Sequence, residues 1–283
     1  MVPKIIAHRG ISVYKVPENT IPALREALEL GFAAEADVQK LKDRRKVLFH
    51  DDFMPGESDR DLNGGGFFLP SGKKPVTECT LDELLLQTRF DSTRHEAILA
   101  KQAGEPVQLK ISKDTPRIAT LEELIELVKE FPNSTIFLEI KRQDKAALYD
   151  DGLEKEIIEM IVDNGLQNNF MIQSFNEHSL RNSKNDKGIP LGALVYSGNP
   201  MKPLDFDKAD KLKSEIGVSY WNPTFNETDG TLTSTIAPLK LNIASWVWPE
   251  NKRTELIEAE RLLKLGVNLI TNQAREVQRL IQA

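Results

Sequence analysis

Acidic residues stand at two places where an apolar run of the sequence ends. FAAEADVQ places Glu35 and Asp37 two residues apart, on one face of a strand, and IFLEIKRQ does the same with Glu139 and Lys141. Carboxylates are the hard oxygen ligands that Mg²⁺ or Ca²⁺ prefers, and they are costly inside a sheet without a positive charge. Glu35, Asp37 and Glu139 are therefore candidate ligands of one divalent cation. A half-exposed strand with a polar face is the alternative.

Histidines and cationic side chains accompany these carboxylates. KIIAHRG ends a strand-like run in His8 and Arg9, and KVLFHDD ends in His50, which a hairpin would bring back over the acidic strand. Phosphodiester chemistry needs charge neutralisation on the non-bridging oxygens, a base for the nucleophile and an acid for the leaving oxygen. His8 and His50 could transfer the protons, while Arg9 and Lys141 could bind the phosphate. A lone histidine at a strand end is otherwise a surface or core residue.

Strands that alternate with helices must position these groups. Short apolar runs predict strands at Lys4–Ala7, Ala33–Val38, Thr135–Ile140, Phe170–Ser174, Leu191–Tyr196, Ile216–Tyr220, Asn242–Trp248 and Val267–Thr271. Helical patterns lie between them, for example at Ile21–Leu30, Leu121–Glu130, Lys155–Asn164, Glu255–Leu265 and Ala274–Ile281. This alternation is typical of parallel βαβ units, and eight strands close a (β/α)8 TIM barrel, an α/β fold.

The region 51–117 interrupts the alternation. It is rich in glycine, proline, lysine and aspartate, and we interpret it as an insertion after the second strand region that caps one end of the barrel. A helix is expected within it at Leu81–Leu86, and the rest of 1–283 forms the single barrel domain. The Asn63–Gly66 run could cradle a phosphate, but it neither follows a strand nor opens a helix, which favours a loop.

Composition limits the remaining possibilities. The 283 residues are 40% hydrophobic and 28% charged, as in an ordinary globular protein, and the net charge of −6 argues against a nucleic-acid partner. One cysteine, Cys79, excludes an intrachain disulfide, and no apolar run is long enough to span a membrane. The early first strand leaves no room for a secretory leader, which favours a cytoplasmic protein, or a secreted or periplasmic one whose leader was removed.

Seven motifs occur in one order over nearly the whole chain. They lie at Ala7–Gly10 (AHRG), Pro17–Thr20 (PENT), Glu35–Asp51 (EADVQKLKDRRKVLFHD), Thr80–Leu84 (TLDEL), Ile118–Leu124 (IATLEEL), Leu138–Lys141 (LEIK) and Gln173–Asn176 (QSFN). In this combination the sequence resembles the glycerophosphodiester phosphodiesterase family, a group of TIM-barrel enzymes. The resemblance implies metal-dependent hydrolysis of a small glycerophosphodiester to glycerol 3-phosphate and an alcohol.

The resemblance also implies a role for each matching position. A free glycerol hydroxyl would attack the phosphorus, and water would then open the resulting cyclic phosphate. Aromatic residues near the later strand ends would line the glycerol side, although core packing is the alternative for the tryptophans. The implied residues are His8 and His50 as general acid and base, Glu35, Asp37 and Glu139 as ligands of Ca²⁺ or Mg²⁺, Arg9 and Lys141 at the phosphate, and Phe175, Trp246 and Trp248 at the glycerol.

Three stretches depart from the family's pattern. The last strand reads Thr271-Asn272-Gln273, where the family often has an Asp and then a Pro after the Thr. The seventh strand ends in Trp246-Val-Trp-Pro249 in place of the family's Trp-Thr-Val-Asn. After His50, Asp59-Arg-Asp-Leu-Asn-Gly64 only partly matches the family's Asp-Arg-Thr-Thr-Asn-Gly. None of these positions is an implied ligand or histidine. We therefore expect them to alter the pocket that selects the alcohol and not to touch the metal and acid–base residues.

Two other functions fit parts of the pattern. A sphingomyelinase D-like or lysophospholipase D-like enzyme would share the barrel and the two histidines. The secreted toxins of that group carry disulfides, and the single cysteine of this chain argues against it. A longer lipid substrate would also call for an apolar rim, and Phe67–Pro70 offers only a small one. A catalytically silent barrel that only binds a ligand would have lost a histidine or a carboxylate of the set, and all of them are present.

Overall fold

Eight parallel strands close into a barrel in the computed structural model, which describes residues 5–11, 16–59, 64–92, 96, 116–141, 152–246 and 252–282. The strands of these residues are β1 (Ile5–Ala7), β2 (Ala33–Lys40), β3 (Lys46–Leu48), β4 (Phe53–Met54), β5 (Phe67–Phe68), β6 (Lys74–Pro75), β7 (Arg89–Phe90), β8 (Ala119–Thr120), β9 (Ile136–Ile140), β10 (Phe170–Ser174), β11 (Leu191–Val195), β12 (Val218–Pro223), β13 (Asn242–Trp246) and β14 (Asn268–Thr271). The barrel runs β1, β2, β9, β10, β11, β12, β13, β14, and β14 pairs in parallel with β1. The predicted (β/α)8 barrel is confirmed.

A helix stands between every two successive barrel strands. The helices of the described residues are α1 (Ile21–Glu29), α2 (Leu81–Gln87), α3 (Leu121–Glu130), α4 (Leu153–Asp163), α5 (Glu177–Asn182), α6 (Phe206–Ile216), α7 (Gly230–Ile236), α8 (Lys252–Lys264) and α9 (Ala274–Gln282). Their buried residues recur every three or four positions, as Leu121, Leu124 and Val128 do in α3, which gives each helix an apolar face for the strands. Within the described part of the chain, no helix has both the length and the apolar character to cross a membrane.

The strands carry two different apolar layers. Ala34 and Ala36 of β2 belong to the large outer layer between strands and helices, whereas Ile6, Phe137 and Ile270 belong to a small cluster inside the barrel. Because successive side chains of a strand point to opposite faces, the odd-numbered residues of β2 point inward. The inner apolar cluster fills the barrel and leaves its carboxyl end to polar side chains.

A hairpin follows β2, as the KVLFHDD stretch predicted. β3 is antiparallel to β2, with Leu48 opposite Val38, and β8 is antiparallel to β3. The described residues between β3 and β8 form a separate apolar cluster that includes Met54, Phe67 and Leu84 and the buried Cys79. The interpretation of 51–117 as one capping insertion stays a prediction, and residues 60–63, 93–95 and 97–115 lie outside the described part of the chain.

One predicted strand start falls inside a helix, whereas other predicted strand ends differ from the structure by one to three residues. Ile216 does not begin the sixth barrel strand but ends α6, and β12 starts at Val218. Gly217, with φ of +80°, caps the helix in the left-handed conformation that glycine adopts without strain. From the local sequence alone, an apolar residue at the end of a helix, just before the capping glycine, was mistaken for the first residue of a strand.

Gly10 makes the closest backbone approach near the amino terminus. Its φ is +82°, and a Cβ at this position would lie 2.6 Å from the carbonyl carbon of Ala23 in α1. The peptide N–H of the next residue, Ile11, also donates to the Ala23 carbonyl oxygen at 2.9 Å. Glycine is required here both for its backbone angle and for its missing side chain.

We expect Gly10→Ala to lower the free energy of unfolding by about 2–5 kcal/mol, since it combines left-handed strain with overpacking. Gly31→Ala is the matched control, because Gly31 has a φ of +77° but open space around its Cβ position. That variant should cost only about 1–2 kcal/mol. Urea denaturation of both proteins measures the difference, and equal losses would show that the contact with α1 does not matter.

Candidate active site

Three carboxylates meet inside the barrel at the carboxyl ends of neighbouring strands. β2 and β9 pair so that Asp37 stands directly opposite Glu139, and Glu35 lies one inward position earlier on β2. One oxygen of each carboxylate lies within 4.8 Å of the others. The residues are only 2% (Glu35), 1% (Asp37) and 7% (Glu139) exposed. This arrangement could hold a metal ion, and it follows from the alternation of side chains that the sequence predicted.

Asn19 holds the carboxylate of Asp37 with two hydrogen bonds. Its Nδ2 donates to Asp37 Oδ2 at 2.9 Å, and its Oδ1 accepts from the Asp37 peptide N–H at 3.0 Å. Asn19 adopts a φ of +56°, and its own peptide N–H donates to the carbonyl oxygen of Arg9. The sequence showed Asn19 only as part of the PENT motif, and its contact with the acidic strand could not be predicted from that motif.

Arg9 joins the carboxylates from the turn after β1. Its Nη1 donates to Glu18 Oε1 at 2.8 Å, its Nε lies 3.1 Å from Asp37 Oδ2, and its peptide N–H donates to Glu35 Oε2 at 3.0 Å. Burial disfavours its charge, but Glu18, Asp37 and Glu35 outweigh that cost and raise the pKa of Arg9. Arg9 is thus a buried cation that binds three acidic residues, and its contact with a phosphate stays a prediction.

The charges in the cluster shift the carboxylates in different directions. Burial, followed by repulsion from Asp37 and Glu139, raises the pKa of Glu35 well above its usual range. Burial also opposes the charge of Asp37, but Arg9, His50 and Lys141 together lower its pKa. The pKa of Glu139 is raised mainly by burial, although Lys141 Nζ lies 2.9 Å from its Oε1. Two cations thus leave part of the negative charge of the cluster uncompensated.

His8 is held as a neutral ring. Its Nδ1 lies 2.8 Å from Oδ1 of Asn272, an oxygen that can only accept, so Nδ1 carries the proton. Nε2 is then the unprotonated nitrogen, and it lies 4.0 Å from Glu35 Oε2. Burial, and then the charge of Arg9, lower the pKa of His8 to about 3. The ring therefore presents a proton acceptor to the interior of the site.

His50 has an acidic partner in place of an amide. It follows β3, and its Nδ1 lies 2.6 Å from Oδ1 of the neighbouring Asp51. The hairpin brings it back to the carboxylates, because it lines the same small cavity of about 40 Å³ as His8, Glu35 and Glu139. The two histidines thus face one space with partners of different charge.

Aromatic residues line another side of this cavity. Phe175 and Trp246 both contribute to it, and their ring centroids lie 5.4 Å apart in an edge-to-face contact. Tyr196, which the sequence did not single out, contacts both rings in the same manner. Lys141 Nζ lies 6.0 Å from the centroid of Phe175. Trp248 lies outside the described residues, so its predicted contact with the substrate has no structural counterpart here.

A larger cleft lies at the opposite end of the barrel. It measures about 690 Å³ and is lined by residues at the strand starts, such as Ile5, Ala33 and Thr135. None of the predicted site residues lines it. The chemistry-bearing side chains are therefore gathered at the carboxyl end, as expected for this type of barrel.

One expectation about the departures from the family's pattern is wrong. Asn272 was expected not to touch the acid–base residues, yet its Oδ1 is the partner of His8 Nδ1. The two residues are far apart in the sequence and meet only because β14 pairs with β1, with Thr271 opposite Ala7. The closure of the barrel, which local sequence does not reveal, decides this contact.

Comparison with known proteins identifies the family of the chain. The sequence model of the glycerophosphoryl diester phosphodiesterase family matches residues 8–274. The chain belongs to this family. It is 35% identical over 280 residues to the glycerophosphodiester phosphodiesterase of Caldanaerobacter subterraneus subsp. tengcongensis, an alignment that covers 98% of this chain and 97% of the relative. This member of the glycerophosphoryl diester phosphodiesterase family is therefore a phosphodiesterase hydrolase.

Solved structures of phosphodiesterases share the fold of this family member. A phosphodiesterase of Oleispira antarctica, in complex with the product sn-glycerol-3-phosphate, superposes with a TM-score of 0.69 at 21% identity and covers 100% of this chain and 98% of its own. A glycerophosphodiester phosphodiesterase of Thermotoga maritima gives a TM-score of 0.60 at 18% identity, with coverages of 98% and 97%. These likenesses show that the barrel is common to the three proteins.

We expect His8 to make the protein acid-labile. The folded protein keeps His8 neutral down to its pKa of about 3, whereas the unfolded chain binds a proton below about 6.5. The unfolded state therefore binds more protons between these values, and stability falls as the pH falls. Between about pH 7.5 and about pH 4.5, wild type should lose about 2–3 kcal/mol more than His8→Asn, at about 1.4 kcal/mol per pKa unit.

Urea denaturation in excess chelator, at the two pH values, measures this difference. The carboxylates of the site are present in both proteins, so their own titration contributes to both curves. Parallel losses of stability in wild type and His8→Asn would contradict the neutral state of His8.

Proposed function

We propose that this phosphodiesterase cleaves glycerophosphodiesters to glycerol 3-phosphate and an alcohol, with one divalent cation and with His8 and His50 as proton-transfer groups. The observation that carries the proposal is the carboxylate cluster at the barrel's carboxyl end, with both histidines lining the cavity above it. The substrate class is supported by the name of the relative at 35% identity. The product found in the Oleispira antarctica structure, glycerol 3-phosphate, is consistent with it.

The donor set of this chain fits Ca²⁺ or Mg²⁺. Glu35, Asp37 and Glu139 supply only oxygen atoms, the ligands that hard divalent cations prefer. Among the described residues, three carboxylates face only two cations, Arg9 and Lys141. Burial together with repulsion from Asp37 and Glu139 raises the pKa of Glu35. A divalent cation bound to these three residues would remove that imbalance and act as a Lewis acid on a phosphate oxygen.

The partners of the two histidines support different roles for them. Asn272 Oδ1 accepts from His8 Nδ1, which leaves Nε2 as the nitrogen that accepts the proton of the attacking hydroxyl. His50 Nδ1 lies 2.6 Å from Asp51 Oδ1, which orients the ring in the cavity, and His50 is the group that donates a proton to the leaving oxygen. Arg9 and Lys141 hold the non-bridging oxygens of the phosphate, although both also neutralise the cluster in the free enzyme. The edges of Phe175 and Trp246 offer an apolar wall for the glycerol carbons.

A panel of glycerophosphodiesters with different alcohols tests the reaction directly. The assay measures release of glycerol 3-phosphate with added Ca²⁺, with Mg²⁺ and with excess chelator. Activity that survives complete chelation would remove the cation from the proposal, and turnover of none of the diesters would remove the substrate class. The alcohol with the highest kcat/KM identifies the head group.

We expect His8→Ala and His50→Ala each to lower kcat by about two to four orders of magnitude, the usual contribution of a positioned acid or base. His178→Ala is the control, because His178 is an exposed histidine on α5. Steady-state kinetics on one diester compares the three variants with wild type. A histidine variant of the cavity with near-normal turnover would show that the residue is structural.

We expect cation binding to release protons, because a bound cation lowers the raised pKa of Glu35. Titration calorimetry in buffers of different ionisation enthalpy counts these protons, and Glu35→Gln should reduce their number. Asp37→Asn should weaken binding by about tenfold or more through loss of ligand charge. Glu154→Gln, which alters a buried carboxylate of α4 outside the cluster, should bind as wild type does. Unchanged affinity in Asp37→Asn would contradict the ligand assignment.

A further inference from the structure

A buried carboxylate outside the proposed cation site lies close to His8. Glu255 stands in the first turn of α8 and is 1% exposed. Its Oε1 accepts hydrogen bonds from Thr271 Oγ1 at 2.5 Å and from the peptide N–H of Asn272 at 2.7 Å. Burial raises its pKa to about 7, against the opposing effect of these hydrogen bonds. A carboxylate is costly in such a place, and neither the metal ligands nor the histidines of the proposed reaction include it.

The hydrogen bonds of Glu255 continue to the imidazole of His8. Asn272, whose peptide N–H is bound by Glu255, presents its side-chain oxygen to His8 Nδ1 at 2.8 Å. Thr271 contributes from the backbone side, because its carbonyl oxygen accepts from the peptide N–H of His8 at 3.0 Å. Glu255 therefore holds the two residues that contact both the main chain and the side chain of His8.

The turn after β14 owes its shape to these contacts. Thr271 Oγ1 donates its single proton to Glu255 and accepts from the peptide N–H of Gln273 at 3.0 Å, so the hydroxyl orientation is fixed. The peptide plane that enters Asn272 is fixed by the second bond to Glu255. Because both peptide planes beside Asn272 are held, few orientations of its side chain are possible. In the one it adopts, Oδ1 contacts His8 Nδ1.

We propose that Glu255 is a positioning residue: it fixes the Thr271–Gln273 turn so that Asn272 keeps His8 protonated at Nδ1 and leaves Nε2 free to accept a proton. The importance of this role for turnover rests on the proposed function of His8 as the base. The effect of Glu255 on the tautomer of His8 does not rest on that function, because the tautomer can be measured without any substrate. An acceptor that hydrogen-bonds to one imidazole nitrogen keeps the proton on that nitrogen and leaves the other unprotonated.

Nuclear magnetic resonance of the histidine rings tests the proposal. Protein labelled with ¹⁵N at its four histidines gives one pair of ring nitrogen signals for each, and His8→Ala identifies the pair of His8. At about pH 7.5, above the ordinary pKa of a histidine, we expect wild-type His8 in a single Nδ1–H form because Asn272 Oδ1 accepts from that nitrogen. Glu255→Ala should move both nitrogen signals toward the values of a mixture of the two tautomers. Unchanged His8 signals in Glu255→Ala would overturn the proposal.

Kinetics should show the same residue acting on the chemical step. We expect Glu255→Ala to lower kcat about 10- to 100-fold, the scale of a displaced or misoriented reacting group, with KM changed by less than about threefold. Glu255→Gln should recover most of this loss, because its amide oxygen can accept both hydrogen bonds. A loss of kcat in Glu255→Gln as large as in Glu255→Ala, without any change in the His8 signals, would overturn the proposal.

Glu123→Ala is the matched control for a purely structural loss. Glu123 is also a first-turn glutamate, and its side chain accepts from the peptide N–H of Thr120 at 2.9 Å, but it caps α3 away from the histidines. This variant should lower the melting temperature and leave kcat within about twofold. If Glu123→Ala lowers kcat as much as Glu255→Ala does, general loss of stability explains both variants and the proposal is overturned.

Thr271 provides a second variant if Glu255→Ala fails to fold. Thr271→Val keeps the branched shape but removes the proton donor to Glu255, whereas Thr271→Ser keeps the hydroxyl. We expect the valine variant, and not the serine variant, to shift the His8 signals and lower kcat. If His8→Ala were as active as wild type, the proposed base would be wrong, and the ring signals would still decide whether Glu255 positions His8.

Discussion

The structure depends on the balance of charge between three inward-facing carboxylates and the two cations that lie among them. Glu35, Asp37 and Glu139 cannot share a buried space without a positive charge, because each raises the cost of ionising the others. Arg9 and Lys141 meet part of this need from the ends of two different strands. The carboxyl end of the barrel is thus held together by electrostatic attraction, whereas its interior and its outer layer are held by apolar packing.

The same balance explains why the turn after β1 has such an unusual backbone. Arg9 and Asn19 both adopt positive φ values, 55° and 56°, which non-glycine residues rarely do. Each makes hydrogen bonds with the acidic strand: the Arg9 peptide N–H donates to Glu35, and the Asn19 side chain holds Asp37 at two atoms. Local strain in the turn is therefore offset by contacts with the acidic strand.

Patterns that are local in the sequence were predictable, and contacts between distant segments were not. The alternation in FAAEADVQ sufficed to put Glu35 and Asp37 inside the barrel, and the motif order sufficed for the family. The partner of His8 could not be found in the same way, because Asn272 depends on the pairing of the last strand with the first. Glu255 was assigned only to a helix, since its burial follows from the packing of α8 against the turn after β14. The false strand start at Ile216 arose where a glycine cap and an apolar residue adjoin.

Closure of the barrel through β1 and β14 also sets the order in which the site can mature. His8 is synthesised before Asn272, which lies 264 positions later in the chain. Contacts of such long sequence separation form late, because the loop between them must first be closed. A nascent or truncated chain thus carries both proposed catalytic histidines and all three carboxylates without the residue that orients His8. If His8 acts as the proposed base, full hydrolytic activity requires β14 to pair with β1, and that activity would report on closure of the barrel.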